Sequence, residues 1–158
     1  MPILTIINKS GLRVPRGFKT RAETAIVTAY KIMPKKFHFP VSVNLMITDN
    51  ATIKQLNHDF RGINKPTNVL SFPQFVPKEI KHFKKMRQII PMGDIALALP
   101  YSTKESNKTN KILNNHLIHL TIHGFLHLFG YDHIIDAEAL DMERLETGKI
   151  TSLNPTWT

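Results

Sequence analysis

Histidine is concentrated in one stretch of the chain. Five of the eight histidines fall between His116 and His133. His123 and His127 are four residues apart, so on an α-helix their imidazoles share one face and can bind one ion together. Gly130 can end that helix in a left-handed conformation, and a reversal of the chain there could bring His133 back beside the pair. This spacing predicts a metal site made of three imidazole nitrogens.

Three neutral imidazoles leave one position of a tetrahedral site open, which is typical of catalytic rather than structural zinc. The ion would lower the pKa of bound water there to roughly 7, or it could act as a Lewis acid on a phosphoryl oxygen. The chain has no cysteine, which excludes thiolate ligands, disulfides and a cysteine nucleophile. We therefore predict one Zn²⁺ ion, although the same ligands would accept nickel, cobalt or copper in vitro.

Two further histidines share the same helical stripe. His116 and His119 lie seven and four residues before His123, so spacing alone would allow them as ligands. We favour packing or hydrogen-bonding roles, because one imidazole per turn would string ligands along the helix axis instead of bringing them together. One of the two could donate a hydrogen bond from outside the ligand shell.

The same histidine and glycine spacing occurs in metzincin peptidases. In that family a glutamate directly follows the first histidine and takes the proton of the attacking water. Gly124 occupies this position here. Because no carboxylate is present to act as base, the spacing does not favour peptide hydrolysis by this route.

Hydrophobic periodicity predicts the elements that must position these residues. Asp49 can cap the second helix and Gly62 can end it. The pattern predicts an α+β fold, with a small mixed four-stranded sheet covered by about five helices and the metal-site helix in the C-terminal half. Without a linker or repeat, we expect a single domain spanning 1–158. Strands are predicted over 1–7, 39–48, 69–72 and 95–99, and helices over 15–34, 50–60, from 102, 111–129 and 136–145.

Composition and charge narrow the class of protein. Hydrophobic residues make up 42% and charged residues 21%, which excludes disordered, collagen-like and coiled-coil chains. The net charge of +9 has two interpretations. It could attract a polyanionic partner such as nucleic acid, or it could serve only to keep the protein soluble. The basic segment from Lys78 to Arg87 fits a solvated loop or helix face, or an arm that contacts RNA. No window has the roughly 18 apolar residues of a membrane span, and the apolar start lacks signal-peptide features, so we expect a cytoplasmic protein with no membrane partner.

Two segments of the chain resemble the YbeY family of bacterial endoribonucleases. The first reads His-Gly-Phe-Leu-His-Leu-Phe-Gly-Tyr-Asp-His over 123–133. The second reads Asn-His-Asp-Phe-Arg-Gly-Ile-Asn-Lys-Pro-Thr-Asn-Val-Leu-Ser-Phe-Pro over 57–73. Gly-Asp-Ile at 93–95 and the acidic stretch at 136–143 are similar to further motifs of that family. Asn68 stands where the family often has aspartate.

This resemblance implies a single-strand-specific, metal-dependent endoribonuclease of small-subunit ribosomal RNA maturation and ribosome quality control. It implies that His123, His127 and His133 bind zinc and that Arg61 is essential. A guanidinium suits that role because its planar, permanently charged fork can hold a phosphodiester through two hydrogen bonds. Without the resemblance, Arg61 would be interpreted as an arginine that interacts with carbonyls at a helix end. Asp132 could orient an imidazole or cap the turn.

Two other functions use the same features. One is a metal-stabilised, ribosome-binding module that cuts nothing itself, and the other is a metzincin-like hydrolase of small molecules or peptides. Chelator-sensitive turnover of RNA that is lost in Arg61→Ala would favour the endoribonuclease, whereas unfolding on chelation would favour the structural role. Weak salt dependence of substrate binding would favour the small-molecule hydrolase.

Overall fold

Four strands form one mixed sheet in the computed structural model, which describes residues 1–131. The sheet has the order β1-β2-β4-β3. β1 (Pro2–Asn8) pairs in parallel with β2 (Val41–Thr48), and β2 pairs in parallel with β4 (Ile90–Ala98). β3 (Val69–Pro73) pairs antiparallel with β4. The predicted α+β fold with a small mixed sheet is confirmed.

Helices lie on both faces of this sheet. Over residues 1–131 they are α1 (Phe18–Ile32), α2 (Asn50–Arg61), α3 (Pro77–Ile80), α4 (Leu99–Lys108) and α5 (Leu113–Leu128), with a 3-10 turn at Lys35–Phe37. Helices α1 and α5 pack together over one face, where the main core contains alternate residues of β2 such as Val43 and Leu45. Helices α2 and α4 cover part of the other face, where Ile53 and Leu70 belong to a smaller apolar cluster. The predicted helix over 136–145 lies outside the described residues.

Both ends of α2 follow the predicted local rules. The backbone N–H of Thr52 donates to Asp49 Oδ1 at 2.7 Å, and this hydrogen bond lowers the pKa of the Asp49 carboxyl. Gly62 follows the helix with φ at 71°, a left-handed conformation that glycine adopts at little cost. The helix therefore ends with Arg61 as its last residue.

The boundary between β4 and α4 differs from the prediction. The strand predicted over 95–99 begins earlier, at Ile90, and Leu99 belongs to the first turn of α4 rather than to the strand. Pro100 starts the helix instead of stopping the strand, because the first turn of a helix does not need the N–H that proline lacks. A register shift opposite Ser42 and Val43 interrupts the alternation on β4, which hid its first half from the sequence pattern.

The basic segment over 78–87 is a short helix followed by turns. Ile80 is buried in the main core, and the ring of Phe83 packs against those of Phe39 and Phe75. The lysines and arginine of the segment are exposed. Ile80 and Phe83 thus pack against the rest of the protein, while the basic side chains of the segment face solvent.

Within the described part of the chain, none of the helices has both the length and the apolar character that crossing a bilayer requires.

Candidate active site

Helix α5 carries the central histidine pair. Over 120–128 the other residues of the helix are buried, and His123 and His127 are half-buried on one side of it. Their Nε2 atoms lie 2.8 Å apart, and their rings meet edge to face with centroids 4.3 Å apart. The structure therefore brings the nitrogens of the two predicted ligands together at one point.

The helix ends as the sequence predicts. Gly130 has φ at 90°, and its N–H donates to the His127 carbonyl at 3.0 Å. The N–H of Tyr131 reaches back to the Leu126 carbonyl at 3.2 Å. Tyr131 is buried, and this burial raises the pKa of its phenol. Gly130 therefore ends the helix in a left-handed turn, and the next residue, Tyr131, packs into the core.

A cleft of about 370 Å³ opens beside the histidine pair. Three elements contribute to its wall, namely the end of α2, the segment leading into β3 with β3 itself, and the exposed side of α5. The structure thus brings Arg61 to the same cleft as His123 and His127. The lining residues are Arg61, Thr67, Asn68, Val69, Leu70, Ser71, Pro73, His123 and His127.

The residues present fit part of a metal site. Imidazole nitrogens bound to one tetrahedral zinc lie roughly 3.3 Å apart, given bonds of about 2.0–2.1 Å. The His123 and His127 nitrogens, at 2.8 Å, would need to separate by only a few tenths of an ångström. Among residues 1–131, no three histidine, aspartate or glutamate side chains are grouped to hold an ion. The third predicted ligand, His133, lies outside the described residues, as does Asp132.

Gly124 allows α5 to lie close against the sheet. A Cβ built on it would be 2.8 Å from Ile95 Cγ2 and 3.2 Å from Ser71 Oγ. The Ser71 hydroxyl donates to the Gly124 carbonyl at 2.9 Å, which ties β3 to the helix between the two histidines. A glutamate here would be directed at Ile95, so the glycine has a packing reason that the sequence did not reveal.

We expect Gly124→Ala to lower the free energy of unfolding by about 1–3 kcal/mol, because the methyl group forces α5 away from Ile95. Urea denaturation would measure the loss. Gly11→Ala is the matched control, since nothing lies within 4 Å of a Cβ there. Gly11 has φ at 75°, so any loss of stability in this variant comes from the left-handed backbone and not from a packing clash. An unchanged unfolding midpoint in Gly124→Ala would contradict the packing argument.

A second polar cluster supports the cleft wall. His116 is 7% exposed, and its Nε2 lies 2.6 Å from Glu105 Oε1. The same carboxylate oxygen accepts a hydrogen bond from Asn68 Nδ2 at 3.0 Å. His116 thus contacts Glu105, and it does not line the cleft of the histidine pair. Glu105 was missed because it lies on α4, and nothing in its sequence neighbourhood marks it as the partner of a residue on α5.

We expect Asn68→Asp to destabilise the protein by about 1–3 kcal/mol, because it replaces a donor to Glu105 with a second carboxylate. In the double variant Asn68→Asp with Glu105→Gln, the amide nitrogen at position 105 can take the place of the shared oxygen, Glu105 Oε1. It can donate one hydrogen to the new carboxylate at position 68 and the other to His116 Nε2. Most of the loss should therefore be recovered. A double-mutant cycle in urea would measure the coupling. Strictly additive losses would show that the carboxylate contact has no energetic role.

The family model and the sequence relatives that match this chain carry the same family name. The profile of the family described as Endoribonuclease YbeY matches residues 8–154. A protein named Endoribonuclease YbeY from Bradyrhizobium sp. (strain BTAi1 / ATCC BAA-1182) is 49% identical over 105 residues, which is 66% of this chain and 61% of that protein. One of the same name from Sinorhizobium medicae (strain WSM419) is 42% identical over 131 residues, or 80% of this chain and 75% of the relative.

The match covers less than two thirds of several of these relatives, including 64% of the length of the Rhizobium etli (strain ATCC 51251 / DSM 11541 / JCM 21823 / NBRC 15573 / CFN 42) protein. Among solved structures, the solution structure of TM1509 from Thermotoga maritima is similar with a TM-score of 0.54. That likeness covers 95% of this chain and 87% of the other at 24% sequence identity. At this identity it supports the fold alone.

Proposed function

This chain belongs to the YbeY endoribonuclease family, and on that basis we propose that it is a metal-dependent endoribonuclease that cuts single-stranded RNA. The observation that carries the proposal is the meeting of Arg61, His123 and His127 in one cleft. These residues come from two helices that are far apart in the chain. A phosphate-binding cation beside a pair of converging imidazoles that can bind a metal is an arrangement suited to cleavage of a phosphodiester.

We propose that His123, His127 and His133 together hold one Zn²⁺ ion. The converging Nε2 atoms of the first two support this assignment, as does a chain that offers nitrogen and oxygen ligands but no thiolate. When bound, the ion would supply Lewis acidity toward a phosphoryl oxygen and would make water more acidic. Each imidazole would bind the ion through the lone pair of one ring nitrogen.

In this proposal Arg61 binds the phosphate that is cut. Its side chain is exposed, so it can reach a substrate without losing packing contacts. None of the described residues that line the cleft is acidic, so nothing in that wall competes for the guanidinium or repels a phosphodiester. Two parallel N–H donors on one rigid plane can hold two phosphate oxygens and stabilise charge that develops on them.

We assign the substrate to the ribosomal RNA of the small subunit and the activity to the cytoplasm, as family membership suggests. The net charge of +9 supports an RNA substrate, because basic side chains release counterions from the phosphate backbone. Bases of a single strand are accessible in a way that those of a duplex are not, which suits a cleft walled by short side chains such as Thr67 and Ser71.

Cleavage assays on purified protein test this function. Incubation with a labelled single-stranded RNA and with its duplex should give products from the single strand alone. EDTA should stop the reaction, and added zinc should restore it. A free 3′ hydroxyl would indicate attack by water, and a cyclic phosphate would indicate attack by the ribose hydroxyl. RNA that is bound but never cut would instead favour a ribosome-binding module.

A further inference from the structure

Phe60 is an exposed aromatic residue beside the cleft. It is 69% exposed on the last turn of α2, directly before Arg61. Its ring packs edge to face on Phe72, with centroids 5.1 Å apart. Phe72 in turn directly precedes Pro73, which lines the cleft together with Arg61. Phe60 and Phe72 therefore form an aromatic pair at the border of the cleft, which we call the aromatic ledge.

One side of the aromatic ledge is accessible to solvent. Phe72 supports the Phe60 ring from beneath, while most of the Phe60 surface contacts no other residue. A single exposed apolar side chain needs no explanation by itself. Here, however, the exposed ring belongs to the residue directly before Arg61, and its edge contact with Phe72 favours one orientation of the ring. An aromatic side chain has only two rotatable bonds, so it offers a flat surface at a small cost in side-chain entropy.

The sheet surface beyond the ledge is open and polar. Phe72 is paired with Asp94 on β4, and Asp94 is paired with Asn44 on β2. Both polar residues are exposed, and Asn44 Nδ2 donates to Asp94 Oδ1 at 2.9 Å. The exposed sheet surface beyond the ledge therefore leaves room for a base, whereas the Asp94 carboxylate would repel the phosphates of the strand.

We propose that Phe60, supported by Phe72, is a nucleobase-stacking subsite for the RNA strand whose phosphate Arg61 binds. The inference rests on the proposed function and extends it to substrate recognition. Side chains of consecutive helical residues diverge by about 100°, so Phe60 and Arg61 can engage a base and a phosphate at separate places. Single strands offer unstacked bases to aromatic rings and duplexes do not, so the ledge accounts physically for selection of single strands.

Binding of a short single-stranded RNA, measured in EDTA so that it stays intact, tests the subsite. We expect Phe60→Ala to weaken RNA binding about tenfold, because loss of stacking on one aromatic ring typically weakens binding by roughly 5- to 150-fold. Leucine keeps much of the apolar area of the side chain but has no aromatic ring on which a base can stack. Phe60→Leu should therefore bind RNA as weakly as Phe60→Ala. Phe60→Tyr should bind as tightly as the wild type. Ile112→Ala is the matched control, because Ile112 is equally exposed, at 69%, and precedes the far end of α5.

Two further measurements separate stacking from charge. Inorganic polyphosphate has no bases, so its binding should be unaffected by Phe60→Ala and weakened by Arg61→Ala. Phe60→Trp, made with Trp157→Phe to leave one indole, should lose fluorescence when single-stranded RNA is added and keep it with the duplex.

Three results would overturn the subsite: RNA binding by Phe60→Ala equal to that of Ile112→Ala, wild-type binding by Phe60→Leu, or an equal loss for polyphosphate. If the proposed function is wrong, the wild-type protein will cut no RNA, whether or not Phe60 affects RNA binding. The two ideas can therefore fail separately.

Discussion

Arg61→Ala is expected to slow RNA cleavage by about 100-fold or more without changing the metal content or the fold. Removing one donor that stabilises developing charge typically costs this much in turnover. The residue is exposed at the end of α2, so its loss creates no cavity and should leave the unfolding free energy within a few tenths of a kcal/mol of the wild type. Single-turnover cleavage of a labelled RNA, with zinc measured in the same samples, gives both the rate and the metal content.

Arg61→Lys should recover only part of this rate, because an ammonium group keeps the charge but cannot form the two-pronged contact. Lys54→Ala is the control for loss of one positive charge, since Lys54 is exposed on the same helix and does not line the cleft. It should cleave at close to the wild-type rate. Equal losses in Lys54→Ala and Arg61→Ala would mean that the helix contributes only general charge, and the phosphate-binding role of Arg61 would be abandoned.

His127→Ala is expected to remove the bound zinc and to abolish cleavage together. Even residues that only orient a ligand typically change metal affinity or activity by 10–100-fold, so loss of a direct ligand should exceed about 100-fold. His82→Ala is the matched control, because His82 is an exposed histidine in the basic segment and does not line the cleft. Its zinc content and cleavage rate should equal those of the wild type.

The result for His127→Ala must be separated from unfolding. Circular dichroism of the variant, and of the wild type in EDTA, should show an intact fold, because the core beneath α5 contains apolar residues such as Ile118, Ile122 and Phe125 and does not depend on the ion. Zinc retained at one ion per chain together with full cleavage would contradict the ligand assignment. Global unfolding on chelation would indicate that the metal is structural.

Local signals in the sequence were sufficient for the parts of the fold that depend on short-range chemistry. A side-chain oxygen at Asp49 and a left-handed glycine at Gly62 set the two ends of α2, and each acts within one turn of helix. The meeting of His123 and His127 is equally local, since four residues on an α-helix place two side chains on one face. These features needed no knowledge of the rest of the chain.

Features that depend on contacts between distant segments could not be predicted in this way. Glu105 contacts His116 and Asn68 only because α4, α5 and the approach to β3 are brought together by the sheet. Gly124 has a packing role that appears only once Ile95 lies against it. That Arg61 reaches the cleft followed from the resemblance to a family, because the helix end alone is equally consistent with an ordinary surface arginine.

Anomalous X-ray scattering at the zinc edge, from crystals of the full chain grown with zinc, would locate the metal and its ligands. We expect a single strong peak in the cleft, bonded to His123, His127 and His133, with no fourth protein ligand and with Arg61 across the same cleft. Zinc found elsewhere, or a site closed by a fourth side chain, would contradict a catalytic metal centre built on α5.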